Sequence, residues 1–342
     1  MRYGRRLVLV VIWLAIFDQF VPALQRRVEH DLYEGSEVFR FENSDLFGLG
    51  PLVAYLREHP ERQRPRVVFF GHSVMFGFGL PASAAVPARF QELEPGVRVF
   101  NAAVNGLQMG NAYLFAKATI GSIDQLYVQL VGMNADAILP SLIPVDDEDI
   151  RAFRLNQPSR LESRLEEWAG FWRLYGASYR LQAATLRTST RQYLYLHKGE
   201  VARGILFPAR SVEPPPERID ASIEVLAPRA AVSPDEARRR ELRERYPVLW
   251  QMEELIQRHG KRAVFLLMAE ADYYGTTPDY PGITPAEIAD LNAIFAPSGE
   301  IMRLRYAADA MTWDKVHLTT GGAQRVAETL VRHRRDGSAQ PQ

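Results

Sequence analysis

Four groups of residues in this chain have the types and the order that acyl transfer requires. Ser73 stands two residues after Gly71, which closes the apolar run Arg66-Val67-Val68-Phe69-Phe70. A β-branched and aromatic run ended by glycine predicts a buried strand, with the Ser73 hydroxyl on the turn at its carboxyl end. Ligands of open α/β sheets bind along that edge. A serine is a weak nucleophile at neutral pH unless a base takes its proton, and the base needs a third group to fix its tautomer. His317, with Asp314 three residues before it, has the residue types for both roles. On a short loop the Asp314 carboxylate can reach Nδ1 of the imidazole while Nε2 turns to Ser73. The oxyanion of a tetrahedral intermediate then needs donors. The backbone N–H groups of Ser73 and Gly106 and the side-chain amide of Asn134 each follow a predicted strand, where such donors would converge.

The elements that must position these groups follow from periodicity. After the first strand, the pattern predicts a helix over Ala84–Leu93, a strand over Val97–Asn101, a helix over Met109–Ile120 and a strand over Gln125–Val131. It resumes with a strand over Arg262–Met268, a helix over Thr284–Phe295, a strand over Ile301–Tyr306 and a helix over Ala323–His333, with Thr320 as its cap. Strand, loop and helix in repetition predict a parallel sheet with helices on both faces. Between residues 139 and 260 the alternation stops. The acidic run Asp146–Asp149 reads as a solvated helix start, Ser159–Leu196 as an Arg- and aromatic-rich helical stretch, and Ala237–His259 as a charged surface helix. Glu213-Pro214-Pro215-Pro216-Glu217 reads as a stiff linker.

Composition removes several classes of function. Lys plus Arg and Asp plus Glu are equal at 41 each, so no net field draws the chain to nucleic acid. There is no cysteine, which excludes disulfides, thiolate metal sites and cysteine nucleophiles together. At 342 residues and 47% hydrophobic, the chain can bury a large core. Its start is distinctive: Arg2, Arg5 and Arg6 precede the uncharged run Leu7–Phe17, and Asp18-Gln19 interrupts before Phe20-Val21-Pro22-Ala23-Leu24. With no small-x-small cleavage pattern after it, this predicts an uncleaved signal anchor from about Leu7 to Leu24, basic end inside and the remainder exported to the periplasm or the cell exterior. A cleaved signal and an amphipathic first helix are the alternatives.

The order Gly71-x-Ser73, Asn101-x-x-x-x-Gly106, Gly132-x-Asn134 and Asp314-x-x-His317 resembles the SGNH (GDSL-like) hydrolase superfamily, whose four blocks supply Ser, Gly, Asn and His in that sequence. The resemblance covers about residues 66–136 and 262–333. It implies a flavodoxin-like three-layer α/β/α fold without cofactor or metal, with Ser73 as nucleophile, His317 as base and Asp314 as its orienting acid. It also implies an oxyanion hole from Ser73, Gly106 and Asn134. The organisation expected is an anchor over 1–25, a stalk and lead-in helix over 26–61, SGNH-like parts over 62–138 and 261–335, a mainly helical insertion over 139–260, and a tail over 336–342. The anchor and insertion make the chain similar to the membrane-anchored branch that includes the D-alanyl transfer protein of lipoteichoic acid synthesis and the alginate O-acetylation proteins. That likeness implies action on O-acyl groups of a cell-surface glycan, beside a membrane-bound O-acyltransferase. A plain membrane-anchored esterase and a non-catalytic glycan-binding scaffold are the alternatives.

Where the superfamily has Gly-Asp-Ser, this chain has Gly71-His72-Ser73. His72 is read as replacing a structural hydrogen bond of the turn, with a role as base the lesser alternative, because adjacent side chains on such a turn usually diverge. Gly77-Phe78-Gly79-Leu80-Pro81-Ala82 matches a dinucleotide fingerprint. Its first glycine falls well past the strand end, Pro81 occupies the phosphate turn, and Asn101 stands where an acidic ribose ligand is wanted.

Overall fold

A computed structural model of the chain describes residues 2–35, 38, 40, 50–60, 63–103, 109–130, 223–226, 235–269, 284–295, 299–306 and 317–338. In chain order these form α1 (Arg2–Tyr33), α2 (Gly50–Glu58), β1 (Arg66–Phe70), α3 (Ser73–Phe76), α4 (Val86–Leu93), β2 (Arg98–Asn101), α5 (Met109–Thr119) and β3 (Gln125–Leu130). There follow β4 (Ile223–Leu226), α6 (Glu236–Arg245), α7 (Pro247–Arg258), β5 (Arg262–Ala269), α8 (Pro285–Phe295), β6 (Gly299–Tyr306) and α9 (Thr320–Ser338).

The strands form one six-stranded sheet in the order β2-β1-β3-β5-β6-β4. Five are parallel, and β4 pairs antiparallel with β6 at the edge, Ile223 opposite Tyr306 and Leu226 opposite Arg303. Without β4, the parallel strands run 2-1-3-4-5 in chain order, which is the flavodoxin-like arrangement with its switch point between β1 and β3. The expectation of a parallel sheet therefore gains an antiparallel edge strand, drawn from the segment read as mainly helical.

Every residue of β1 and β2 is buried, as near-continuous apolar strands covered on both faces must be. Alternate side chains enter two cores. Val68, Phe70, Phe100, Val128 and Phe265 pack with residues of α2, α5, α7 and α8. Val67, Phe69, Val99, Tyr127 and Leu266 pack with α3, α4 and α9 on the other face. Three layers result. The segment read as a charged surface helix over Ala237–His259 is two helices, and α7 turns Leu249, Trp250, Met252, Leu255 and Ile256 into the first core.

The spanning anchor expected at Leu7–Leu24 is not supported: among the described residues no helix is long and apolar enough to cross a membrane. The apolar run instead leads α1, and Asp18 and Val21 are the first described side chains of that helix to be buried. Val8 through Leu14, Ile16, Phe17 and Phe20 are exposed, Trp13 to 69%. The far end of α1 is held by two buried arginines that a sequence reading passes over. Arg98 donates to the carbonyls of Tyr33 and Gly35, and Arg66 donates to Glu34 and to the His59 carbonyl at 2.6 Å. Carbonyls at the end of a helix have no intrahelical partner, so these guanidinium bonds fix α1 to the strand starts.

Candidate functional site

β1 delivers the chain to the carboxyl edge of the sheet beside the switch point, and three contacts shape the turn that follows. A Cβ on Gly71 would lie 2.6 Å from Gln129 Oε1 and 2.6 Å from Met75 Cβ, so the close approach of this turn to β3 requires glycine. Gln129 is itself buried in β3, and its Oε1 accepts the Met75 N–H at 3.2 Å. That bond satisfies one of the orphan donors in the first turn of α3. After a single turn, Gly77 takes the left-handed conformation at φ 82°, and its N–H and that of Phe78 return to the Ser73 carbonyl at 3.0 and 2.8 Å. Arg40 closes the far end, donating to the carbonyls of Phe76 and Gly77 at 3.1 and 2.8 Å with its guanidinium 4.6 Å from the Phe76 ring centroid. Ser73 thus opens a short helix pinned at both ends.

The Ser73 side chain is 8% exposed. Its Oγ lies 3.0 Å from Nδ1 of His72, within hydrogen-bond distance. This corrects the expectation that the adjacent side chains diverge: His72 precedes α3 at φ −101° and ψ −149°, and from that backbone its ring folds onto the serine. Burial, and after it the charge of His317, push the His72 imidazole down from 6.5 to about 4. The ring is therefore neutral at physiological pH.

His317 reaches the same region from the loop before α9. Its ring centroid is 4.8 Å from that of Phe78, and its charge acts on His72. Leu318 is buried in the second core, and Thr319 caps α9: its Oγ1 accepts the Gly322 N–H at 3.1 Å, where the sequence had suggested Thr320. Ser73 and His317, separated by most of the chain, are thus linked through His72 and Phe78, and among the described residues His317 Nε2 makes no hydrogen bond to Ser73. Asp314, Gly106 and Asn134 lie outside the described residues. Asn101, which opens the second block, is buried at the end of β2 and accepts the Ala103 N–H on Oδ1 at 3.1 Å.

Two site residues escape the sequence reading. Gln129 supports the serine turn from β3, and the signal for it is an amide in an otherwise apolar stretch of buried strand. Phe78, 49% exposed beside His317, falls within the dinucleotide-like pattern, which masks it as a site residue. Among the described residues no group of acidic or histidine side chains could hold a metal ion.

No family model matches the chain, and no curated protein matches it. Among solved structures it is similar to a crystal structure of TesA at 12% identity, covering 78% of this chain and 95% of that one, with a TM-score of 0.36. It is also similar to a protein of Streptococcus pneumonia provisionally described as a platelet activating factor. That match has 12% identity and a TM-score of 0.30, and covers 82% of this chain and 90% of the other.

Proposed function

We propose that the chain is a serine acyl-transfer enzyme of SGNH type that cleaves an ester through an acyl-enzyme on Ser73. The observation that carries this reading is a buried serine at the carboxyl end of β1, beside the sheet's switch point, with His72 3.0 Å from its hydroxyl and the charge of His317 acting on His72. Ser73 Oγ attacks the acyl carbonyl and its proton passes to His317, oriented by Asp314. The oxyanion is received by the N–H groups of Ser73 and Gly106 and the amide of Asn134. Collapse of the tetrahedral intermediate breaks the ester bond, and the leaving alkoxide takes the proton from His317. Water or a second hydroxyl then resolves the acyl-serine by the same steps. The test is covalent labelling by a fluorophosphonate. Labelling of the wild type that is lost in both Ser73→Ala and His317→Ala supports the reading, and a folded wild type that takes no label overturns it in favour of a non-catalytic scaffold.

The exposed apolar start of α1 favours a second element, attachment to a lipid surface. A helix with apolar residues on every side is covered by protein or lipid, and Val8–Leu14 are exposed all round. Their uninterrupted run Leu7–Phe17 spans about 16 Å at 1.5 Å per residue, roughly half a hydrocarbon core of about 30 Å. Such a segment enters one leaflet rather than crossing both. An exported chain attached in this way faces a surface substrate, and a cell-surface glycan whose hydroxyls carry acyl groups fits that position, with a membrane-bound O-acyltransferase as partner. Comparing acyl release to water with acyl transfer to glycan hydroxyls distinguishes transferase from plain esterase.

A further inference from the structure

His72 is the residue of the serine turn that the motif order leaves unexplained, and its surroundings constrain it closely. Nδ1 lies 3.0 Å from Ser73 Oγ, while Nε2 is buried and makes no hydrogen bond among the described residues. A neutral imidazole carries one N–H, so two arrangements are open. With the proton on Nε2, that N–H would be a buried donor without an acceptor among the described residues, which folded proteins rarely tolerate. Nδ1 would also take up the Ser73 proton, on a ring too weakly basic to be an efficient base near neutrality. With the proton on Nδ1, only a lone pair is left uncompensated at Nε2, and the hydroxyl proton of Ser73 stays available.

Given the reading of Ser73 as the nucleophile, we infer that His72 is a positioning residue whose Nδ1–H donates to Ser73 Oγ and leaves the hydroxyl proton for His317. The bond fixes the rotamer of Ser73 and supports negative charge on Oγ as the proton leaves. No proton is transferred through His72, and its ring remains neutral throughout. Among the described residues, the charge acting on His72 is that of His317. Desolvation resists a second cation beside it, so His72 stays neutral when His317 gains the serine proton.

The experiment combines two readouts. Long-range nitrogen–proton spectra of the ring-labelled full chain report which nitrogen of His72 carries the proton. A neutral ring protonated on Nδ1 from pH 7 to pH 5 is expected, and an Nε2–H tautomer or a charged ring overturns the inference. Fluorophosphonate labelling of His72→Asn, His72→Asp and His72→Phe supplies the second. Asn keeps a donor near the position of Nδ1 and should label within about fivefold of wild type, whereas Phe should lose about a hundredfold or more in maximal rate at unchanged half-saturating concentration, the scale for loss of one donor to a reacting oxygen. Asp, which only accepts, should not rescue. Phe labelling as fast as wild type, or Asp rescuing as well as Asn, overturns the donor role. Should the Phe variant fail to fold, the spectra and the Asn and Asp pair decide. A wild type that takes no label defeats the nucleophile reading instead, and the spectra then still report on the hydrogen bond.

Discussion

Gln129 Oε1 accepts the backbone N–H of Met75 at 3.2 Å and stands 2.6 Å from where a Cβ on Gly71 would lie. The serine turn is thereby held against β3 by one amide, and the glycine before it makes room for that amide. Gly71→Ala must displace Gln129 or Met75. Overpacking of this kind costs about 1–3 kcal/mol. We expect a urea midpoint lowered to match and a loss of Ser73 labelling larger than the loss of stability explains. Full labelling in Gly71→Ala would show that the turn does not need this contact.

How far this arrangement is legible in the sequence varies by element. β1 and the serine turn read directly, because Arg66–Phe70 is a continuous apolar run and Gly71 ends it. β4 does not: Ile223–Leu226 is four residues long, lies in a segment without alternation, and depends on pairing with β6 some 80 positions away. The contact between His72 and Ser73 is equally hidden, since it follows from the dihedral angles of one residue rather than from residue types. Arg66 and Arg98 begin strands, where charged residues are ordinarily solvated, yet both guanidiniums turn into the end of α1. Ser73 and His317 are the members of the predicted site that fall among the described residues; Ser73 meets His72, and the charge of His317 acts on that same ring.

Acid should weaken the fold through His72. Its folded value, about 4, lies below the usual 6.5, so the unfolded chain binds the proton more readily between those limits. The stability this group contributes is fully present above pH 6.5 and is lost as pH falls toward 4. Between pH 7 and pH 5 the difference is about 2 kcal/mol. Glu300, held below the usual carboxylate range first by its hydrogen bond from His333, adds a loss at lower pH. Urea unfolding at both pH values, compared between wild type and His72→Asn, isolates the histidine. A smaller fall in the variant is expected, and an equal fall would mean that His72 does not titrate in this window.

The apolar start of α1 should bind lipid without crossing it. In a flotation assay the full chain is expected to rise with vesicles, and Val11→Asp with Leu14→Asp should remain at the bottom. A protease confined to the vesicle lumen should not cut the bound chain near Arg2 or Arg5. Equal flotation of the doubly charged variant would assign lipid binding elsewhere, and cleavage from the lumen would show a crossing.

Ser73 as the site of a covalent acyl intermediate is tested most directly by catching it. The full chain is mixed with p-nitrophenyl acetate, quenched in acid within the first turnover, digested and weighed by mass spectrometry. One acetyl mass on the peptide containing Ser73 is expected, formed with a burst of p-nitrophenol and absent in Ser73→Ala. A folded wild type that releases p-nitrophenol with no burst and carries no acetyl on that peptide would contradict it.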